Sequence, residues 1–362
     1  MSATTIFPNR YVQGDGALKL LPDEIARLGN AALAIIDRVV LTKVAPQIKT
    51  EKNVTITIEA FGGECSDEEI ERLSAAARKA MVTVVVGIGG GKVLDTAKAV
   101  GHTLGLPVVV APTVASTDAP CSALSVIYTP EGGFSRYLFL QRNPDVVLVD
   151  TAMIVAAPAR LLVSGMGDAL STWFEAEDCQ KSGSPNMTGR PGSMTAYALA
   201  RLCYDTLIGY GAEALKACEA KAVTPALERI VEANTLLSGI GFESGGLSGA
   251  HAIHNGLTAL AGTHHFFHGE KVAFGTLSLL YLSCRPQSVI DEVFGFCASI
   301  GLPTTLADIG LEGVSDADLL TAAKIACAPE DTILHVNADV TPEMVVAAMR
   351  AADAEGRRRK AA

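Results

Sequence analysis

The chain has 362 residues, 49% of them hydrophobic and 19% charged, with a net charge of −10. That length allows two domains and a large core, the balance is that of a soluble globular protein, and the acidity argues against nucleic acid or an anionic membrane as the main partner. No apolar run approaches the ~18 residues that span a bilayer, and the start, MSATTIFPNRYVQGDG, lacks the charged and apolar regions of a secretion signal. The eight cysteines (65, 121, 179, 203, 218, 284, 297, 327) are scattered without a C-x-x-C pair, as expected of reduced thiols in a cytoplasmic protein.

In chain order, AALAIID (31–37) is a short apolar run ending on an aspartate and reads as a buried strand. NVTITIEA (53–60) is β-branched and alternating, a second strand. Ser66 followed by Glu69 gives the S-x-x-E pattern of a capping box, ahead of an amphipathic helix reaching Ala80. TVVVGIGGGK (83–92) predicts a third strand ending in glycines, VLDTAKAVGHTLG (93–105) a helix, LPVVVAPT (106–113) a fourth strand and DVVLVD (145–150) another. Strands alternating with helices predict a largely parallel sheet covered on both faces.

Between the third strand and its helix stands Gly87-Ile88-Gly89-Gly90-Gly91-Lys92. Glycines let the backbone approach a phosphate and point N–H groups at it, and the helix N-terminus adds a favourable field. The run is not a P-loop, because Val86 and Val93 break G-x-x-x-x-G-K-S/T, nor the usual dinucleotide fingerprint, because Lys92 stands where the third glycine belongs. A tight turn without a ligand is the competing reading, and Asp95 and the loop at 112–122 weigh against it. That loop follows a strand, where open α/β sheets bind ligands. Thr113, Ser116, Thr117 and Ser122 offer hydroxyls to phosphate or ribose, and Asp118 offers a carboxylate to a polyol, although each alone is equally ordinary turn chemistry. Asp37, at a strand end, is either a ribose-binding acid that favours NAD over NADP or a helix cap.

After Asp150 strand signals fade and helices succeed one another. LLVSGMGDALSTWFEAEDC (161–179) spaces Asp168, Thr172 and Glu175 along one face. Asp168 lies in an apolar stretch and calls for a cation, or else for the field of a helix start. KSGSPNMTGRPG (181–192) reads as an exposed loop. HAIHNGLTALAGTHHFFH (251–268) holds five of the seven histidines: His251, His254, His264, His265 and His268. A helix puts His251 and His254 on one face, and His268 opens the next segment. Such a cluster points to a metal or to catalysis, with a third ligand from elsewhere. The basic run GRRRK (356–360) is expected to be a solvated, frayed end. The expected architecture is an α/β nucleotide-binding domain over 1–155 and an all-helical domain over 156–362.

Five segments, GIGGGKVLDTAK, PTVASTDAPCSALSVIYT, GMGDALSTWFEA, SGAHAIHNG and HHFFHGEKVAFG, occur in this order. Together they resemble the iron-containing (group III) alcohol dehydrogenase superfamily, nearest its glycerol dehydrogenase branch, over almost the whole chain. The resemblance implies a dehydroquinate synthase-like fold, with NAD and a divalent metal in the cleft between two domains. It implies Asp168, His251 and His268 as metal ligands. It implies Gly91, Lys92, Asp95, Thr113, Ser116, Ser122, Leu124 and Tyr128 as NAD contacts, and Asp37 as the ribose acid. Asp118 matches the residue that contacts glycerol, and His254 a histidine beside the substrate. Iron-binding relatives carry a histidine four residues after the aspartate, where this chain has Thr172; three ligands with an open position imply zinc. The implied reaction is oxidation of glycerol, or a similar vicinal diol, to dihydroxyacetone. A ring-like homo-oligomer is the expected assembly.

A polyol-phosphate dehydrogenase, or a carbon–oxygen lyase of the dehydroquinate synthase type, would use the same scaffold. Both need a basic anion pocket, for which the metal-binding segments offer only Lys271, with Arg190 in the loop at 181–192. A metal- and nucleotide-binding protein without turnover is the third reading, disfavoured by the complete ligand set and glycine loop.

Overall fold

The computed structural model describes residues 2–48 and 53–361. Its strands are β1 (Tyr11–Gly14), β2 (Ala31–Ile36), β3 (Thr55–Ala60), β4 (Val84–Gly89), β5 (Val108–Pro112), β6 (Leu124–Tyr128), β7 (Phe134–Phe139) and β8 (Val146–Asp150). The helices of the first part are α1 (Leu21–Ala26), α2 (Arg38–Val44), α3 (Asp67–Lys79), α4 (Gly91–Leu104) and α5 (Thr151–Ala156). Those of the second part are α6 (Ala159–Ser182), α7 (Met194–Glu219), α8 (Pro225–Glu232), α9 (Ser238–Gly245), α10 (Gly249–Leu257), α11 (His268–Leu282), α12 (Gln287–Ile300), α13 (Asp316–Ala326) and α14 (Pro342–Ala361).

Six strands form a sheet in the order β1-β8-β5-β4-β2-β3, and every pairing is parallel. Side chains of β2 alternate between two cores. Ala32, Ala34 and Ile36 join the cluster around α1, while Leu33 and Ile35 join Leu73, Ala77, Val93 and Ala97 from α3 and α4. Burial on both faces explains the unbroken apolar runs in the sequence. The chain crosses to the other side of β2 after β3, so the carboxyl ends of β2 and β4 form the topological switch point, where such sheets open a crevice. Ser66 caps α3 by accepting from Glu69 N–H at 3.3 Å, but the Glu69 carboxylate goes to Gly62 N–H and Arg72, so only one half of the expected capping box forms.

Two features lie outside the sequence reading. β1 adds an edge to the sheet, and β6 with β7 makes an antiparallel hairpin. A third corrects it: the basic run is not frayed. It forms the end of α14, where Arg357, Arg358, Arg359 and Lys360 pair with Asp353, Glu355, Asp291 and Asp308. Two of those acids come from α12 and the turn after it, so packing supplied what local sequence does not display. Beyond α5 the described residues are helical, and their core includes Val110, Val147 and Val149 from the sheet. No described helix is long and apolar enough to cross a membrane.

Candidate active site

Asp168 sits mid-way along α6, 1% exposed, and shares the buried side of that helix with Thr172 and Glu175. Gly167 and Gly269 explain how α11 reaches it. A Cβ on Gly269 would lie 1.8 Å from Ser164 O, and one on Gly167 would lie 2.4 Å from Gly269 O. Only glycine at both places lets the start of α11 lie on α6, which brings His268 beside Asp168.

Asp168 Oδ1 lies 3.1 Å from His268 Nε2 and 3.4 Å from His251 Nε2. The three ligand atoms fall within 4.8 Å of one another. Burial alone would raise the Asp168 pKa, but the two imidazoles outweigh it and hold the carboxylate well below its usual range. Burial likewise works to lower the His251 pKa, and Glu175 with Asp168 reverses the sign and raises it well above the ordinary value.

Glu175, two turns along α6 from Asp168, backs this group and is fully buried. Its Oε2 accepts from His251 Nδ1–H at 2.6 Å, and its Oε1 accepts from Ser248 N–H at 2.9 Å and His251 N–H at 3.1 Å. One carboxylate thus caps α10 and fixes the His251 tautomer, leaving Nε2 free to ligate. The donor set fits a divalent cation: one carboxylate and two imidazoles converge, with a carboxylate behind one of them.

The other histidines divide. The His254 ring meets His268 edge to face with centroids 4.3 Å apart, and Nδ1 donates to Asn255 Oδ1 at 3.2 Å. Burial, then the neighbouring His268 and Lys271, keep its pKa well below the ordinary value. His264 turns to Thr258 O and His265 is exposed, so neither joins the site. Of the two basic residues weighed for an anion pocket, only Lys271 lies near His254, where it is buried, while Arg190 donates to Ser2 Oγ.

On the sheet side, Gly90 is the N-cap of α4 and has no side-chain cap, so the first N–H groups of α4 face the crevice. A Cβ on Gly90 would meet only Val114 at 3.7 Å, and one on Gly91 only Thr117 Oγ1 at 3.9 Å and Ala119 at 4.0 Å. That open cradle fits a pyrophosphate. Asp37 caps α2 by accepting from Val39 N–H at 3.0 Å, and its Cβ lies 3.0 Å from where a Gly89 Cβ would be. It is therefore both the cap and a neighbour of the glycine turn.

Most of the remaining expected cofactor residues have protein partners of their own. Lys92 Nζ meets Glu64 at 2.6 Å and lies 4.8 Å from the centre of the Tyr128 ring. Asp95 turns inward to Lys98 Nζ at 2.9 Å and to Val126 N–H at 2.9 Å. Lys98 in turn donates to Leu124 O at the start of β6. Thr113 N–H donates to Gly89 O at 3.0 Å, Ser116 O accepts from Ser164, and the Ser122 hydroxyl donates to Ala119 O.

Asp118 joins the two sides. Its N–H donates to Asp168 Oδ2 at 3.3 Å, and its Oδ2 accepts from Ser238 Oγ at 2.9 Å. Burial and the nearby Asp168 push its pKa well above the carboxylate range. Glu243 of α9 holds the same loop from behind, accepting from Ala123 N–H and from Asn143, which also donates to Cys121 O. Sequence reasoning placed Glu175 on the right face without a role, and passed over Ser238 and Glu243. Glu175 had a signal, a carboxylate seven residues after Asp168 in an apolar helix; the other two had none before α9 was docked.

The sequence model of the iron-containing alcohol dehydrogenase family matches residues 8–151. A glycerol dehydrogenase from Thermotoga maritima is 61% identical over 362 residues, covering 99% of this chain and 99% of its own. One from Escherichia coli is 49% identical over 354 residues, covering 97% of this chain and 96% of its own. The crystal structure of a glycerol dehydrogenase from Schizosaccharomyces pombe superposes with a TM-score of 0.95 at 39% identity, over 99% of this chain and 92% of that one.

Proposed function

The chain belongs to the iron-containing alcohol dehydrogenase family, and from that premise we propose that it oxidises glycerol to dihydroxyacetone with NAD and a divalent cation. The cation would supply Lewis acidity for the C2 oxygen, and NAD would supply the acceptor for the C2 hydride. The observation that carries the reading is the run 117–119. Thr117 and Ala119 face Gly91 at the cofactor turn, while the N–H of Asp118 between them bonds Asp168 at the ligand cluster. Three consecutive residues thus span both sites, which puts an alcohol held at the ligand cluster beside the cofactor turn.

Each residue has a task in this reading. Asp168, His251 and His268 hold the cation, and Glu175 keeps the His251 proton on Nδ1. Gly91, Lys92, Thr113, Ser116, Ser122, Leu124 and Tyr128 line the cofactor crevice, Asp37 holds the ribose, and Asp95 shapes the wall. Asp118 takes a terminal hydroxyl of the substrate, so a triol or vicinal diol is held at two points and a simple secondary alcohol at one. His254 is the relay for the hydroxyl proton, since Asn255 occupies its Nδ1 and leaves Nε2 as acceptor. Zinc is the ion we assign: three donors with an open side suit it, and the Thr172 hydroxyl is turned to Ser238. The free cysteines suit a reducing, cytoplasmic compartment, and the exposed Phe134, Tyr137 and Phe139 of β7 offer a surface for a homo-oligomer.

A substrate panel tests the reading: glycerol, propane-1,2-diol, propan-2-ol and glycerol 3-phosphate, with wild type and Asp118→Ala. The variant is expected to lose roughly a hundredfold in kcat/KM for glycerol and far less for propan-2-ol. Equal losses on both remove the role given to Asp118. A preference for glycerol 3-phosphate moves the assignment to the phosphorylated polyols.

A further inference from the structure

Ser238 is fully buried, on the first turn of α9, and its hydroxyl has two partners. Ser238 Oγ lies 2.9 Å from Asp118 Oδ2 and 3.0 Å from Thr172 Oγ1. A hydroxyl has one proton. Ser238 Oγ donates to Asp118 Oδ2, so its one proton goes there. The Ser238 oxygen must then accept from Thr172, which fixes the order of donation as Thr172 to Ser238 to Asp118. Thr172 is itself 1% exposed, so water does not compete for either hydroxyl.

The backbone is shaped for this chain of bonds. Residues Ala233–Leu237, just before α9, form a turn of π-helix. Such a turn adds a residue and rotates the helix beyond it, and here it precedes a helix with every residue from Ser238 to Gly245 buried. Glycines on either side of Ile240 bring Ser238 within reach of both partners. A Cβ on Gly239 would lie 2.8 Å from Cys121 Cβ and 3.2 Å from Asp118 O, and one on Gly241 would lie 2.3 Å from Thr172 Cγ2. In the π-turn itself, Asn234 donates to Ala115 O at 3.0 Å and Leu162 O at 3.1 Å, tying the loop to α6 at a second point.

We propose that Thr172 and Ser238 are positioning residues for polyol specificity: the Thr172 hydroxyl orients that of Ser238, which occupies Asp118 Oδ2 and so aims Oδ1 at the substrate's terminal hydroxyl. The inference rests on the glycerol reading and adds what makes Asp118 selective. A free carboxylate rotates and meets a hydroxyl in many poses, whereas one pinned through Oδ2 and through its own N–H to Asp168 presents a single oxygen in one direction. Neither Thr172 nor Ser238 reaches the substrate; both act through Asp118.

The test is the ratio of kcat/KM for glycerol to that for propan-2-ol, in Ser238→Ala, Thr172→Val, Thr172→Ser and each paired with Asp118→Ala. Losing the hydrogen bond to a buried carboxylate should lower the ratio about tenfold in Ser238→Ala, mainly through the KM for glycerol. Thr172→Val should lower it about threefold, since Ser238 keeps its own proton for Asp118. Thr172→Ser restores the hydroxyl and should return the ratio to the wild-type value. In the Asp118→Ala background Ser238→Ala should cost nothing further, a non-additivity that a loss of folding does not produce. Metal content and melting temperature, measured alongside, identify a variant that has lost its structure. Ser238→Ala costing the same factor with and without Asp118 would overturn the inference while leaving the glycerol reading in place. Wild-type protein that forms no NADH from glycerol fails that reading and takes this inference with it.

Discussion

The cofactor turn and the ligand cluster use opposite means. At the turn, backbone does the work: an uncapped helix start and two glycines leave N–H groups and space, while the nearby charged side chains Lys92 and Asp95 are committed to Glu64, Lys98 and Val126. At the cluster, side chains do the work, on three helices that cross only because glycines let α6 and α11 touch. A site made of backbone tolerates changes of side chain that keep the turn. A site made of buried charges tolerates almost none, because removing one partner leaves the others unpaired in the interior.

The largest effect that would break this contrast is at the cluster. Asp168→Asn or His268→Ala should lower turnover by about a thousandfold, several kcal/mol of transition-state stabilisation, and empty the metal site while NAD binding stays within about threefold. Full metal stoichiometry in both variants would remove the ligand assignment. Behind the cluster, Glu175→Gln should weaken metal affinity about 10- to 100-fold, read by competition with a chelator; an unchanged affinity would reduce Glu175 to a helix cap. At the turn, Gly90→Val has room to fold, and its side chain should take space from the cofactor. The KM for NAD should rise about tenfold with metal content unchanged, and an unchanged KM would put the cofactor elsewhere.

The smallest effect concerns Glu243, which belongs to the seam between the two sides. Burial pushes its pKa from 4.5 up to about 7, against the bonds from Ala123 and Asn143. The folded state therefore binds more protons than the unfolded chain between those values. The Glu243 contribution to stability is fully present below about pH 4.5 and is lost as pH rises through about 7, on the order of 1–3 kcal/mol. Relative to Glu243→Gln, the wild type should lose stability over that window; parallel denaturation midpoints across it would contradict the shift.

The same contrast decides how much was legible in the sequence. The apolar runs of β2, β4, β5 and β8 announced a sheet buried on both faces, and the glycine run announced the cofactor turn. β1 did not stand out, because it is only four residues long and its Tyr11 and Gln13 also join a polar network with Thr235 and Glu228. The hairpin had its own signal in Gly132 and Gly133 between two short strands, but β7 is almost wholly exposed and shows no inward face. Five clustered histidines pointed to a centre, yet spacing alone could not separate His251, which faces Asp168, from His254, which meets His268 edge to face. Asp37 left two readings open, and the structure gives it the capping bond and a place beside the turn at once. Glu175, Ser238 and Glu243 act across distances of tens to more than a hundred residues in the chain, which periodicity does not reach.

The central claim is that residues 117–119 couple a metal-bound polyol to NAD, so catalysis must need the metal while the cofactor turn does not. The direct measurement is NADH formation from glycerol by the protein as isolated, after chelation, and after adding back zinc or iron, with NAD binding followed in each state. Chelation is expected to abolish turnover and zinc to restore it, with NAD bound throughout. Undiminished turnover in protein shown by elemental analysis to be metal-free would contradict it.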